Sequence, residues 1–203
     1  MNQTVTIVTV AFGDISPVWQ MAEKTWAPYC KRHGYVLKAV NWLPVPTYHP
    51  SWNKVKAVLD EIECAAGPVW CVDADMTVAN PSVPLETPNL KTKPVWFSTD
   101  WNGLCAGMFR VVPGLWQQWF LSTALFCHDV ANHDQFGKGL GCKWEQNTFK
   151  LLVREFPAIA KNVGLLPASL VSDQPPNPNA VIYHFGGRKN SERIAMMKKI
   201  HRL

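Results

Sequence analysis

Four apolar residues, Val69-Trp70-Cys71-Val72, stand between a Gly67-Pro68 break and the tripeptide Asp73-Ala74-Asp75. The run has strand length, and no polar residue alternates along it. Both of its faces must therefore be covered, as in the central strand of a parallel sheet. Such a strand needs helices on either side, and the rest of the chain supplies the alternation. Residues 5–12 are β-branched and apolar up to Gly13, and read as a strand. A helix beginning with Pro17, capped by Asp14 or Ser16, carries Val18, Ala22, Trp26, Tyr29 and Cys30 on one face and stops at Gly34. Strands are expected at 35–40, 95–98, 106–111 and 181–184. Helices are expected from about Ser51, over 115–127, over 144–156, and from Ser191 in a basic C-terminal segment of 191–203. The pattern predicts an α/β fold with a mainly parallel sheet, in one domain spanning 1–203.

Composition removes several function classes. With 47% hydrophobic and 17% charged residues, the 203-residue chain can bury a core and is not a disordered segment. No apolar stretch is long enough to span a bilayer, and residues 4–12 read as a strand rather than a leader, so a cytoplasmic protein is expected. Six scattered Cys with no C-x-x-C pair fit reduced thiols. The net charge of +5 is local: residues 181–203 hold six Lys/Arg against Glu192, and the first 180 residues are neutral. A solvated helix face or an anionic ligand would each account for it. Most of the ten Trp are expected in the core, with Trp52 and Trp101 as exceptions beside polar motifs.

The chemistry begins at Asp73 and Asp75. Two carboxylates one residue apart at the end of an apolar strand repel each other and are costly to desolvate. A divalent cation removes both problems, and oxygen ligands suit Mn²⁺ or Mg²⁺. The plainer alternative has one Asp cap the next turn while the other is solvated. His184, at the end of the last expected strand, falls at the same edge of the sheet. Cys127, His128, His133 and Cys142 contain soft ligand types but match no common zinc spacing.

The surroundings of the pair resemble a known group of enzymes. The segment 70–78 resembles the apolar strand and D-x-D of nucleotide-sugar glycosyltransferases with the GT-A fold. Ser51-Trp52-Asn53-Lys54-Val55 resembles the Trp-x-Lys helix start that precedes it. The segment 100–110, from Asp100-Trp101-Asn102-Gly103 to Arg110, is similar to the D-W-N-G-L-N-A-G element of the galactosyl- and mannan-type family of retaining glycosyltransferases. Glu145-Gln146 is similar to its D/E-Q pair, and Tyr183-His184-Phe185-Gly186-Gly187-Arg188-Lys189 to its final H-F-x-G element.

The resemblance implies a Rossmann-like α/β/α sandwich. It implies a metal-dependent transfer of sugar from a nucleoside-diphosphate sugar, a UDP-sugar in preference, to a hydroxyl acceptor with retention. Asp73, Asp75 and His184 would hold Mn²⁺ or Mg²⁺. Ala11 and Phe12 would line the nucleoside pocket, and Lys54 would approach base or phosphate, unless it is a solvated helix residue. Asp73, Asn102, Gly107 and Gly187 would also face the donor, and Arg188 or Lys189 its diphosphate. Gln146, Glu145 and Asp100 are the candidate catalytic residues, with Asp134-Gln135 as a rival to Glu145-Gln146; Glu145 would equally favour a helix start. Two departures stand out. Cys105 replaces the expected Asn, and the spacing leaves open which of Arg188 and Lys189 meets phosphate.

The acceptor expected is a glycan or other polyol, with hydroxymethylated bases in DNA as the alternative suggested by the basic tail. A nucleotidyltransferase also uses paired carboxylates, but only one Gly follows the first strand. A non-catalytic nucleic-acid-binding module has no recognition motif to support it.

Overall fold

In the computed structural model, which describes residues 4–133, 144–172 and 177–202, nine strands divide between two sheets. The six-stranded sheet contains β1 (Thr6–Val10), β2 (Val36–Val40), β3 (Val69–Val72), β5 (Val95–Asp100), β6 (Gly103–Val111) and β7 (Val163–Leu165), in the order β2-β1-β3-β6-β5-β7. Only β6 runs against the others. The sheet is mainly parallel, as the alternation of elements requires. A smaller sheet pairs β4 (Met76–Val78) with β9 (Ile182–His184), and β9 with β8 (Val171–Ser172).

The apolar run that sets the architecture behaves as its composition demands. Trp70 and Val72 of β3 enter one core, together with Val5 and Ile7. Cys71 and Val69 enter the other, together with Val8. The first core is closed by α1 (Ser16–His33) and by Met197 of the C-terminal helix. The second is closed by α2 (Asn53–Ile62), α3 (Leu115–His133) and α4 (Glu145–Glu155), through residues such as Val58, Phe120 and Phe149. A short helix α5 (Pro157–Ala160) leads into β7, and α6 (Asn190–His201) ends the chain. This is an α/β/α sandwich. Each fully buried Val or Phe contributes about 1.5–3 kcal/mol over exposure, so the two-sided burial of four consecutive residues explains why this strand is central.

Some local expectations change. Neither Asp14 nor Ser16 caps α1: a 3₁₀ turn over Gly13–Ile15 feeds directly into the helix, and the Ser16 hydroxyl donates instead to the Ala11 carbonyl at 2.8 Å. Gly34 does end α1, in the left-handed conformation that its missing Cβ permits. Trp52 is fully buried and belongs to the second core, whereas Trp42, Trp119 and Trp144 join Trp101 on the surface. Cys30, Cys64, Cys71 and Cys105 are free thiols. No helix among the described residues is long and apolar enough to cross a membrane.

Two irregularities position the site. The β5–β6 pair slips register between Phe97, which faces Phe109, and Ser98, which faces Cys105. The bulge leaves residues 106–108 unpaired with β5, and the Ser98 hydroxyl fixes it by donating to the Cys105 carbonyl and accepting from the Met108 N–H. The hairpin then closes over Trp101 and Asn102, where the Asp100 carboxylate accepts from the Asn102 N–H at 2.7 Å.

Candidate metal and ligand site

At the end of β3 the chain leaves the large sheet for the small one, and Asp73 and Asp75 occupy the crossing. The bulge of β6 anchors the exit, because the Gly107 carbonyl accepts the Asp73 N–H at 2.8 Å. On the far side, the Asp75 carbonyl accepts the Phe185 N–H, and His184 of β9 lies opposite Met76 of β4. The three side chains therefore converge from three strand ends. His184 Nε2 stands 3.9 Å from Asp73 Oδ2 and 3.6 Å from Asp75 Oδ1, and one ligand atom from each residue falls within 4.8 Å of the others.

The donor set suits a hard divalent cation with one borderline nitrogen, so Mn²⁺ or Mg²⁺ fits its chemistry. The neighbouring backbone is shaped around it. A Cβ on Gly107 would sit 2.9 Å from His184 Cε1 and 3.2 Å from Asp73 Oδ2, and a Cβ on Gly186 would sit 2.9 Å from the same ring. These glycines are needed for close approach rather than for a turn. The alternative in which one Asp caps and the other is solvated does not hold, since Asp75 is buried and both carboxylates face His184.

The outer oxygens of the pair are held by cations. Lys54, in the first turn of α2, reaches Asp73 Oδ1 at 2.7 Å and Glu145 Oε1 at 2.9 Å. Lys54 is 6% exposed, which overturns its reading as a solvated helix residue. Burial alone would lower its pKa, but the Asp73 and Glu145 carboxylates more than offset that and hold it well above the ordinary lysine value. Arg193, one turn into α6, forms an ion pair with Asp75, its Nε 3.1 Å from Oδ2, and donates that N–H to the Phe185 carbonyl at 3.2 Å. In the sequence Arg193 is one of six basic residues in 181–203, for which a solvated helix face or an anionic ligand would each account. The structure places it in the site, because α6 packs along α1 and turns its first half toward the Asp75 loop. No spacing motif marks it. Burial also pushes the Cys71 thiol far up, so this neighbour of Asp73 stays protonated.

Two clefts flank the cluster. One, of about 350 Å³, has Val10, Phe12, Ile15 and Leu43 among its walls, and Lys54, Asp73, Asp75 and Arg193 at its polar end. The other, of about 450 Å³, is lined by Asp100, Trp101, Cys105, Gln146, His184 and the Gly186-Gly187 backbone. Its floor is fixed by Gln146, whose carbonyl oxygen accepts the Ala106 N–H while its amide donates to Asp100 Oδ2 at 3.3 Å. Cys105, standing where Asn was expected, accepts the Gly107 N–H through sulfur at 3.4 Å. Trp101 is 94% exposed at the rim.

The remaining sequence candidates fall as follows. Phe12 lines the first cleft, whereas Ala11 is buried behind it with its N–H on the Val40 carbonyl. Asn102 is exposed at the hairpin tip and offers its carbonyl to Lys150. Glu145 is buried behind Lys54 and lines neither cleft. Gly187 takes a left-handed conformation at the edge of the second cleft, Arg188 follows it with a buried Nε that has no hydrogen-bond partner among the described residues, and Lys189 is exposed. Asp134-Gln135 and Cys142 lie outside the described residues. His128 packs between the rings of Tyr48 and Trp52, and the only described cluster of three metal-ligand types is Asp73, Asp75 and His184.

No family model and no curated protein matches the sequence. Among solved structures, a glycosyltransferase involved in the glycosylation of the major capsid of PBCV-1 is similar over 97% of this chain and 99% of its own, with a TM-score of 0.72 and 15% identity. Likeness at that identity concerns the fold: the chain has the GT-A type of α/β/α architecture found in glycosyltransferases.

Proposed function

We propose that this protein is a metal-dependent glycosyltransferase that moves a sugar from a nucleoside-diphosphate sugar, a UDP-sugar in preference, to a hydroxyl of a neutral glycan or other polyol. The observation that carries the reading is the convergence of Asp73, Asp75 and His184 between an apolar-walled cleft and a polar one. The likeness in fold to a glycosyltransferase supports it.

Asp73 Oδ2, Asp75 Oδ1 and His184 Nε2 would hold Mn²⁺ or Mg²⁺, which when bound supplies Lewis-acid stabilisation of charge on the leaving diphosphate. Phe12 and the neighbouring walls exclude water from the nucleoside. Arg188 and Lys189 add positive charge on the side of the Gly186-Gly187 turn. Lys54 keeps Asp73 aimed at His184, and Glu145 keeps Lys54 in place. In this arrangement Glu145 positions Lys54 and does not exchange a proton with substrate. Gln146 locks Asp100 against the floor of the second cleft, where Asp100 can accept sugar hydroxyls, and Trp101 offers an open ring face to a pyranose. Among the described residues the lining of that cleft includes Asp100 and no Lys or Arg, which supports a neutral acceptor over the phosphates of DNA. Retention follows from the motif resemblance.

The test is a panel of nucleotide sugars with Mn²⁺, scored for donor hydrolysis and thermal stabilisation. Release of free nucleoside diphosphate supports the proposal, and release of pyrophosphate would point to nucleotidyl transfer instead. Asp73→Asn with Asp75→Asn should abolish turnover; full activity of that variant in chelator sinks the metal assignment. The anomeric proton signal of the product decides retention.

A further inference from the structure

Arg193 touches the site in a way the proposed chemistry does not yet use. Each carboxylate of the cluster divides its two oxygens. Asp73 gives Oδ1 to Lys54 and turns Oδ2 to His184, while Asp75 gives Oδ2 to Arg193 and turns Oδ1 to His184. The two cations differ in surroundings. Lys54 is sealed beneath the cleft and shares its charge with Glu145. Arg193 is more open, with 17% of its side chain exposed, and it borders the first cleft at the polar end. Its other contacts are neutral: Nη1 donates to Asn190 Oδ1 at 2.8 Å, and Nε donates to the Phe185 carbonyl at 3.2 Å. Arg193 therefore carries a full positive charge against one carboxylate and also meets whatever fills the cleft.

We propose that Arg193 is a positioning residue with two opposed effects, resting on the reading of the first cleft as a nucleoside-diphosphate site. Without ligands it stands in for a metal cation at Asp75, holding Oδ2 and leaving Oδ1 aimed at His184. A second cation beside Asp75 is repelled by that guanidinium. With the diphosphate present, the same charge faces the phosphate oxygens and favours the metal-nucleotide complex over metal alone. Arg193 thus couples the two ligands: it opposes the cation by itself and promotes the cation together with the anion.

The sign of the effect is the test. Binding of Mn²⁺ alone is measured by electron paramagnetic resonance, and binding of UDP, with ADP and GDP in parallel, by calorimetry in saturating Mn²⁺. The full chain is used as wild type, Arg193→Gln and Arg193→Lys. Gln retains a donor for the Phe185 carbonyl without charge, and Lys retains charge without the fork. Arg193→Gln should bind Mn²⁺ alone about three- to tenfold more tightly and the diphosphate about tenfold more weakly, the size expected of one charge-assisted contact. Arg193→Lys should restore the weak Mn²⁺ binding and part of the nucleotide affinity. Lys198→Ala, on the exposed side of the same helix, should change neither. A residue that merely braces α6 would weaken both ligands together, and that result, or no change in either, overturns the proposal. If wild type binds no nucleoside diphosphate in Mn²⁺, the proposed function falls and takes the phosphate half of this inference with it. The Mn²⁺ measurement still decides the counter-ion half.

Discussion

Lys54→Met removes the cation on which two carboxylates converge, and the structure fixes how unequal the two losses are. Glu145 is 7% exposed in its side chain and has its ion pair to Lys54 at 2.9 Å. Asp73 is 31% exposed and also faces His184, so water screens much of its loss. Leaving a buried charge without its partner costs about 3–5 kcal/mol, and nearly all of it is assigned to Glu145 here. For a domain of this length each kcal/mol moves the melting point by about 2–4 °C, so the variant should melt roughly 6–20 °C lower. Urea denaturation followed by fluorescence of the buried Trp26, Trp52 and Trp70 reads the same loss as free energy. Lys54→Met with Glu145→Leu removes both charges and should return to within about 2 kcal/mol of wild type, because a buried pair replaced by apolar groups is close to neutral. Since the folded protein raises the Lys54 pKa, its contribution is complete below the ordinary lysine value and is lost only as pH rises through the higher folded value. The gap between wild type and Lys54→Met should therefore hold steady from about pH 7 to 9. A loss under about 1 kcal/mol, or a double variant no more stable than the single one, would refute the view of Lys54 as a buried hub.

Two further outcomes follow from contacts around the cluster. Gly107→Ala places a methyl 2.9 Å from the His184 ring, so Mn²⁺ affinity measured by resonance should fall about tenfold while stability drops by no more than about 3 kcal/mol, the usual cost of overpacking; unchanged affinity would show that the ring moves aside freely. His201 shares a hydrogen bond of 2.8 Å with Thr77 Oγ1, and burial lowers its pKa, so the stability it contributes is complete above the unfolded value of about 6.5 and is lost as pH falls toward the lower folded value. Urea midpoints of His201→Gln should accordingly decline less than those of wild type between about pH 7 and 5.

The elements that the sequence announces are those with a local signature. Strand β3 declares itself by four apolar residues in a row, α1 by its Pro start and Gly stop, and α4 by Phe149 and Leu152 on one face. Strands β4, β7 and β8 have three, three and two residues, too few for any alternation to register. Pairing of β9 with β4 rather than with the large sheet is a long-range choice, and nothing inside Val181-Ile182-Tyr183-His184 encodes it. The site divides in the same way. Asp73, Asp75 and His184 are legible because strand ends in such sheets collect ligands. The burial of Lys54 is not legible, since a lysine early in a helix looks solvated until Glu145 arrives from another helix. Arg193 is hidden for the same reason, among five other basic residues of the last segment.

Charge balance at the crossing between the sheets ties these findings together. Asp73, Asp75 and Glu145 bring three carboxylates, and Lys54 and Arg193 bring two cations, so the described cluster is close to neutral before any ligand arrives. A bare pair of Asp at that position would oppose folding, but this arrangement tolerates an empty site because the chain supplies its own counter-ions. Under the proposed function a divalent cation would make the crossing positive, and a diphosphate in the first cleft would return it toward neutrality. The local excess of positive charge in the last 23 residues acquires a specific meaning from this balance. One of its six basic residues completes the carboxylate pair, two follow the glycine turn beside His184, and Lys198, Lys199 and Arg202 lie beyond the site. Neutralising the last three should therefore leave the binding of cation and nucleotide intact, because none of them borders either cleft.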